Sequence, residues 1–223
     1  MRTTNWIRVL ALAALAFAAT GAPRAAAEEG ATLAALKLAH TREVNAQWHY
    51  LAFANGAKHE AHPDIARLFV AIAFAEEVHA ANHRAQIERL GDVATPQIES
   101  IVVRSTAENL ARAIELERQE WTTVYRTLGD FARKECDYDA LAAFNYARSA
   151  EGTHAAMFTR ALEQLEANTT RPHLLASLFP VIEPAPTGPV ALVCRGCGSA
   201  FASRPGRSCP NCGTACATMR VFL

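Results

Sequence analysis

Four helix-length stretches of this chain carry carboxylates where an apolar stripe should run on, and two of them repeat the pattern Glu-x-x-His. The residues are Glu43; Glu76 with His79; Glu117 with Glu120; and Glu151 with His154. In the second stretch the inward positions run Ile65, Leu68, Ile72, Glu76, His79, His83, Ile87 and Leu90; in the fourth they run Phe144, Ala147, Glu151, His154, Phe158 and Leu162. Residues three apart on a helix project from one side, so Glu and His at this spacing can reach one cation together. Carboxylates buried without compensation cost several kcal/mol each, or take up protons instead. Two divalent cations would nearly cancel the charge of all five.

A lone Glu-x-x-His says little, because charged helix faces are usually solvated. Two such pairs, with further Glu residues interrupting the apolar stripes of the other two helices, point to a metal pair. Carboxylate and imidazole donors suit iron or manganese, and the reading is a di-iron centre bridged by Glu residues from the first and third helices. Glu77, Glu115 and His83 are read as solvent-facing or as lying behind the ligands.

Apolar residues recur every three or four positions over 32–58, 63–90, 106–135 and 138–167, which predicts four helices. Pro63 suits a first helical turn, Gly91 suits a stop, and Ser105-x-x-Glu108 is a capping box. The first and last connections are short, so helices one and two, and three and four, should form antiparallel hairpins. The link 92–104 is long enough to cross the bundle. The predicted class is all-α, a ferritin-like four-helix bundle with one long crossover over residues 28–168.

Prolines 172, 180, 184, 186 and 189 mark 169–189 as a linker. A small module, 190–223, comes after it with Cys194-x-x-Cys197-Gly and Cys209-x-x-Cys212-Gly, separated by 11 residues. That spacing lets two turns place four thiolates tetrahedrally around one metal, and both zinc and iron accept such a set. Pro210 in "CPNC" resembles rubredoxin, and that resemblance implies iron, although zinc ribbons share these turns. Cys136 and Cys216 stand outside the pattern as free thiols.

Residues 1–27 have the form of an export signal: Arg2 and Arg8, an apolar run from Val9 to Ala19, then Ala25-Ala26-Ala27. The run is too short to span a bilayer, so the mature chain is expected outside the cytoplasm, in a bacterial periplasm, with no membrane span. The 22 basic and 22 acidic residues leave no net charge, which argues against nucleic acid as a partner.

The chain resembles the rubrerythrins over essentially its whole mature length, in "EVNAQWHYLAFA", "AEEVHA", "ELERQEWTTVY", "AEGTHAAMF" and the rubredoxin-like tail. The resemblance implies that Glu43, Glu76, His79, Glu117, Glu120, Glu151 and His154 hold two iron ions, with Glu120 exchanging with His79 as oxidation state changes. It also implies that Tyr50 and Tyr125, otherwise ordinary core tyrosines, hydrogen-bond to ligand carboxylates. The implied activity is an oxidoreductase of the di-iron peroxidase type, reducing hydrogen peroxide to water. Its electrons would come from a redox protein through iron held by Cys194, Cys197, Cys209 and Cys212, supplied by a neighbouring subunit of a homodimer or larger assembly. Export argues for a periplasmic donor in place of a pyridine-nucleotide reductase. The competing reading is a ferroxidase or iron-binding protein with a structural zinc tail.

Overall fold

The structure, a computed structural model, describes residues 29–167, 191–201 and 203–222. The export signal (1–27) and the linker (169–189) lie outside those residues.

Helices α1 (Ala31–His59) and α2 (Pro63–Arg89) form the first antiparallel hairpin. The second pairs a rod made of α3 (Thr106–Gln119), a π-helical turn (Glu120–Val124) and α4 (Tyr125–Lys134) with α5 (Tyr138–Glu166). The predicted punctuation is in place. Pro63 opens α2, Ser105 and Glu108 complete their capping box, and Gly91 takes a φ of +82° just past α2. There its N–H bonds to the Glu88 carbonyl and that of Asp92 to the Ile87 carbonyl, closing a Schellman motif.

The third rod departs from the regular helix expected over 106–135. Across the π turn the Tyr125 N–H reaches the Glu120 carbonyl, five residues back, which widens the helix by one residue. The Trp121 carbonyl is taken by Arg148 Nε at 3.0 Å and the Arg118 carbonyl by Thr122 Oγ1 at 2.7 Å. The extra residue rotates the rest of the rod, so that Glu117, Glu120 and Tyr125 are all buried.

The crossover runs along the bundle and is clipped by two buried asparagines. Asn45 donates to the Gln97 carbonyl (2.8 Å) and accepts from the Glu99 N–H (2.9 Å); Asn109 does the same with the two backbone groups of Arg104 (2.8 and 3.0 Å). Neither clip is visible in the sequence, where both residues read as ordinary helix positions.

Two apolar cores result. One holds Tyr50, Phe53, Leu68, Phe69, Leu110 and Phe158; the other holds Leu36, Ile87, Leu128 and Phe144. Glu43, Glu76, His79, Glu117, Glu151 and His154 fall between them in sequence, so the polar layer is sandwiched at mid-height. The tail folds as a three-stranded antiparallel sheet in the order β2 (Ala200–Phe201), β1 (Ala191–Val193), β3 (Arg220–Phe222). Ala191, Val193 and Ala200 join the first apolar core, which seats the module on the bundle.

Candidate metal centres

Helical spacing brings Glu76 and His79 together at 2.8 Å, and Glu151 and His154 at 3.1 Å. Two quartets form in which every potential ligand atom lies within 4.8 Å of the others: Glu43, Glu76, His79, Glu151, and Glu76, Glu117, Glu151, His154. All six residues are at most 2 % exposed. Glu76 and Glu151 belong to both quartets. The carboxylates common to both quartets therefore lie on helices α2 and α5, whereas the sequence reading expected bridging Glu residues from the first and third helices. Glu43 and Glu117 each belong to one quartet, which single-helix stripes cannot reveal.

Glu120 enters neither quartet. Its Oε1 accepts from Arg42 Nε at 2.5 Å, while its Oε2 is buried without a hydrogen bond. Sequence reasoning missed Arg42, which lies one residue from Glu43 and reads as a solvated position.

Both tyrosines are buried and donate to carboxylates: Tyr50 to Glu117 at 2.5 Å, and Tyr125 to Glu43. His83 is fully buried, with Nε2 2.9 Å from the Tyr125 hydroxyl. The phenol spends its one proton on Glu43, so His83 Nε2 is the donor of that pair. Glu77 and Glu115 face solvent.

Burial pushes Glu43 up to about 6 and Glu120 up to about 8, with neighbouring carboxylates adding to both; Glu151 is pushed well above the ordinary range for the same reasons. Burial acts upward on Glu76 too, but His154 and His79 outweigh it and hold the group at about 2. For His79 and His154 burial acts downward, and the surrounding glutamates overcome it and raise both.

The signs give a pH dependence. A carboxyl raised in the folded state ionises more readily in the unfolded chain, so Glu43, Glu120 and Glu151 cost stability as pH rises above the ordinary carboxylate value. The raised histidines contribute fully below their ordinary 6.5 and progressively less above it. Glu76, held low, contributes its stability above the ordinary carboxylate value and loses it only as pH falls toward about 2. Chelator-treated protein should therefore lose thermal stability between about pH 5 and about pH 8, and added divalent cation should stabilise it more as pH rises. A melting temperature of the treated protein that climbs over that range would contradict the charge arrangement.

Cations fit this donor set on the structure's own terms. Glu76 Oε1, Glu117 Oε2, Glu120 Oε2 and Glu151 Oε1 are buried without hydrogen bonds, an expensive arrangement unless a cation receives them. His79 Nε2 lies 3.1 Å from the Cys197 carbonyl oxygen, which can only accept, so Nε2 carries the proton. A cation in the layer would take Nδ1 in place of the proton that Nδ1 shares with Glu76 and Glu151 (2.8 and 3.0 Å), while the Nε2 bond orients the ring, a common way of fixing a metal-binding imidazole. A cavity of about 170 Å³, lined by Arg42, His49, Glu99 and Arg112 among others, reaches Glu43, Glu76, Glu117 and Glu151.

In the tail, Cys194, Cys197, Cys209 and Cys212 form a second donor group within 4.8 Å. Sulfur separations of 3.6 Å for Cys194–Cys212 and Cys197–Cys209 approach the roughly 3.8 Å edge of a tetrahedron with ~2.3 Å metal–sulfur bonds. Cys136 and Cys216 are free, the former exposed and the latter buried. The module meets the bundle through the His79–Cys197 contact, Asn82 Nδ2 to the Gly196 carbonyl (3.0 Å) and Asn211 Nδ2 to the Tyr146 carbonyl (3.2 Å).

The family model described as Rubrerythrin matches residues 34–162. A rubrerythrin of Porphyromonas gingivalis is 29 % identical over 178 residues, 79 % of this chain and 82 % of the relative. Rubrerythrin-2 of Clostridium acetobutylicum is 34 % identical over 136 residues, 60 % of this chain and 73 % of that one. Among solved structures, fully reduced, all-ferrous nigerythrin superposes with a TM-score of 0.72 at 24 % identity, covering 97 % of this chain and 100 % of the other, a likeness of fold.

Proposed function

The chain belongs to the rubrerythrin family, whose membership supports a di-iron protein with oxidoreductase chemistry, and on that premise we propose that it is a peroxidase reducing hydrogen peroxide to water. Electrons from a redox protein pass through iron in the four-cysteine module. The observation carrying this reading is the hydrogen bond from His79 to the Cys197 carbonyl, which joins a cation-binding imidazole to a metal-binding cysteine.

A bound iron pair supplies two electrons for cleaving the O–O bond of peroxide, and two protons complete the formation of two waters. Glu76 and Glu151 would hold both ions, with Glu43 and His79 completing one position and Glu117 and His154 the other, while Tyr50 and Tyr125 fix the outer carboxylates by hydrogen bonds. Glu120 lines the cavity beside these residues, with its carboxyl bonded to Arg42.

Among the described residues no helix is long and apolar enough to cross a membrane. With the leader as an export signal, the protein works in the periplasm and takes electrons from a cytochrome or small redox protein there, as a homodimer or larger assembly. The test is metal analysis and a visible spectrum of the purified protein, followed by mixing with peroxide and reduced cytochrome. The reading expects three irons per chain, the colour of a ferric four-thiolate centre and peroxide-dependent cytochrome oxidation. Zinc in the tail with no turnover would favour iron handling instead.

A further inference from the structure

The two Cys-x-x-Cys-Gly turns of the tail are built alike. In each, the glycine N–H bonds back to the carbonyl of the first cysteine at 2.9 Å, and the glycine sits at positive φ, +74° for Gly198 and +76° for Gly213. Conformation alone therefore calls for glycine equally at both positions. Their surroundings are opposite. A Cβ at Gly213 would meet nothing within 4 Å, whereas one at Gly198 would lie 2.2 Å from His79 Nε2, 2.5 Å from His79 Cδ2 and 3.0 Å from the Ala75 carbonyl oxygen.

The obstacles at Gly198 cannot yield cheaply. His79 is 1 % exposed, its ring held between the carboxylates on Nδ1 and the Cys197 carbonyl on Nε2, and the Ala75 carbonyl belongs to the backbone of α2. A methyl group there would have to lift the module from the helix. That movement would break the His79–Cys197 bond and strain the Asn82–Gly196 bond next to it. Gly213 faces open space and is free of this demand.

We infer that Gly198 is a positioning residue, kept without a side chain so that the four-cysteine module seats directly on His79 and fixes the distance between the two metal sites. The inference rests on the relay reading for its consequence but not for its geometry. Gly213 supplies a control of matched backbone strain within the same fold.

The experiment compares Gly198→Ala and Gly213→Ala in the full iron-loaded chain by two readouts. Hydrogen–deuterium exchange over residues 74–83 reports docking; stopped-flow absorbance of the four-thiolate iron after a peroxide pulse reports electron passage. Gly198→Ala should lose protection of that α2 segment and slow electron passage by about a hundredfold, the scale of an ångström-sized misplacement. Gly213→Ala should keep both. If both variants keep protection, or both lose it equally, the inference is overturned. Loss of protection in Gly198→Ala with unchanged electron passage would sustain the docking role and overturn the relay. Should Gly198→Ala fail to hold its tail metal, Asn82→Ala decides. It leaves the turn untouched, and reduced protection with an intact tail spectrum supports the docking surface, while full protection refutes it.

Discussion

Glu151→Ala is expected to empty both metal positions at once while the helices still form, and Glu76→Ala should do the same. These two carboxylates alone belong to both quartets, so removing either takes a donor from each ion. Even residues behind a metal ligand cost roughly 10–100-fold in affinity or activity when removed, so loss of a shared ligand should lower peroxide turnover by more than about a hundredfold. Glu43→Ala or Glu117→Ala, which strip one quartet only, should leave one ion bound more tightly than the other. Iron per chain, circular dichroism and steady-state peroxide consumption read the three effects separately. Full turnover in Glu151→Ala or Glu76→Ala would remove the site assignment; equal iron loss in all four variants would remove the sharing pattern.

Cys197→Ser should act on the other centre and leave the first intact. It removes a thiolate that is fully buried and whose own carbonyl meets His79, so the tail loses its metal set while the bundle keeps its six buried ligands. Bundle iron should match the parent protein, and a pre-reduced sample should still consume about one equivalent of peroxide per chain. Turnover sustained by an external donor should fall to background, since electrons then have no entry beside His79. Unchanged steady-state rates would show that the tail does not relay.

The sequence made the donor layer legible because its signal is local. Glu76 with His79 and Glu151 with His154 share a helix face by spacing alone, and the apolar stripes on either side fix which face is inward. The bundle and its crossover were legible for a similar reason, through cap residues and connection lengths. What the sequence withheld depends on how helices rotate against one another. Which carboxylates are shared, that Arg42 holds Glu120, and that His83 backs Tyr125 are relations between helices, and the π turn at 120–124 resets the phase of the third rod beyond any fixed period. The contact between Gly198 and His79 spans 119 positions, and no periodicity encodes it.

The contact between His79 and the Cys197 carbonyl bears on how the protein would behave as a population. Mixing chains damaged in the bundle with chains damaged in the tail restores turnover if a neighbour's tail fills that seat, and rescues nothing if each polypeptide is its own circuit. Specific activity would fall on dilution in the first case and hold in the second.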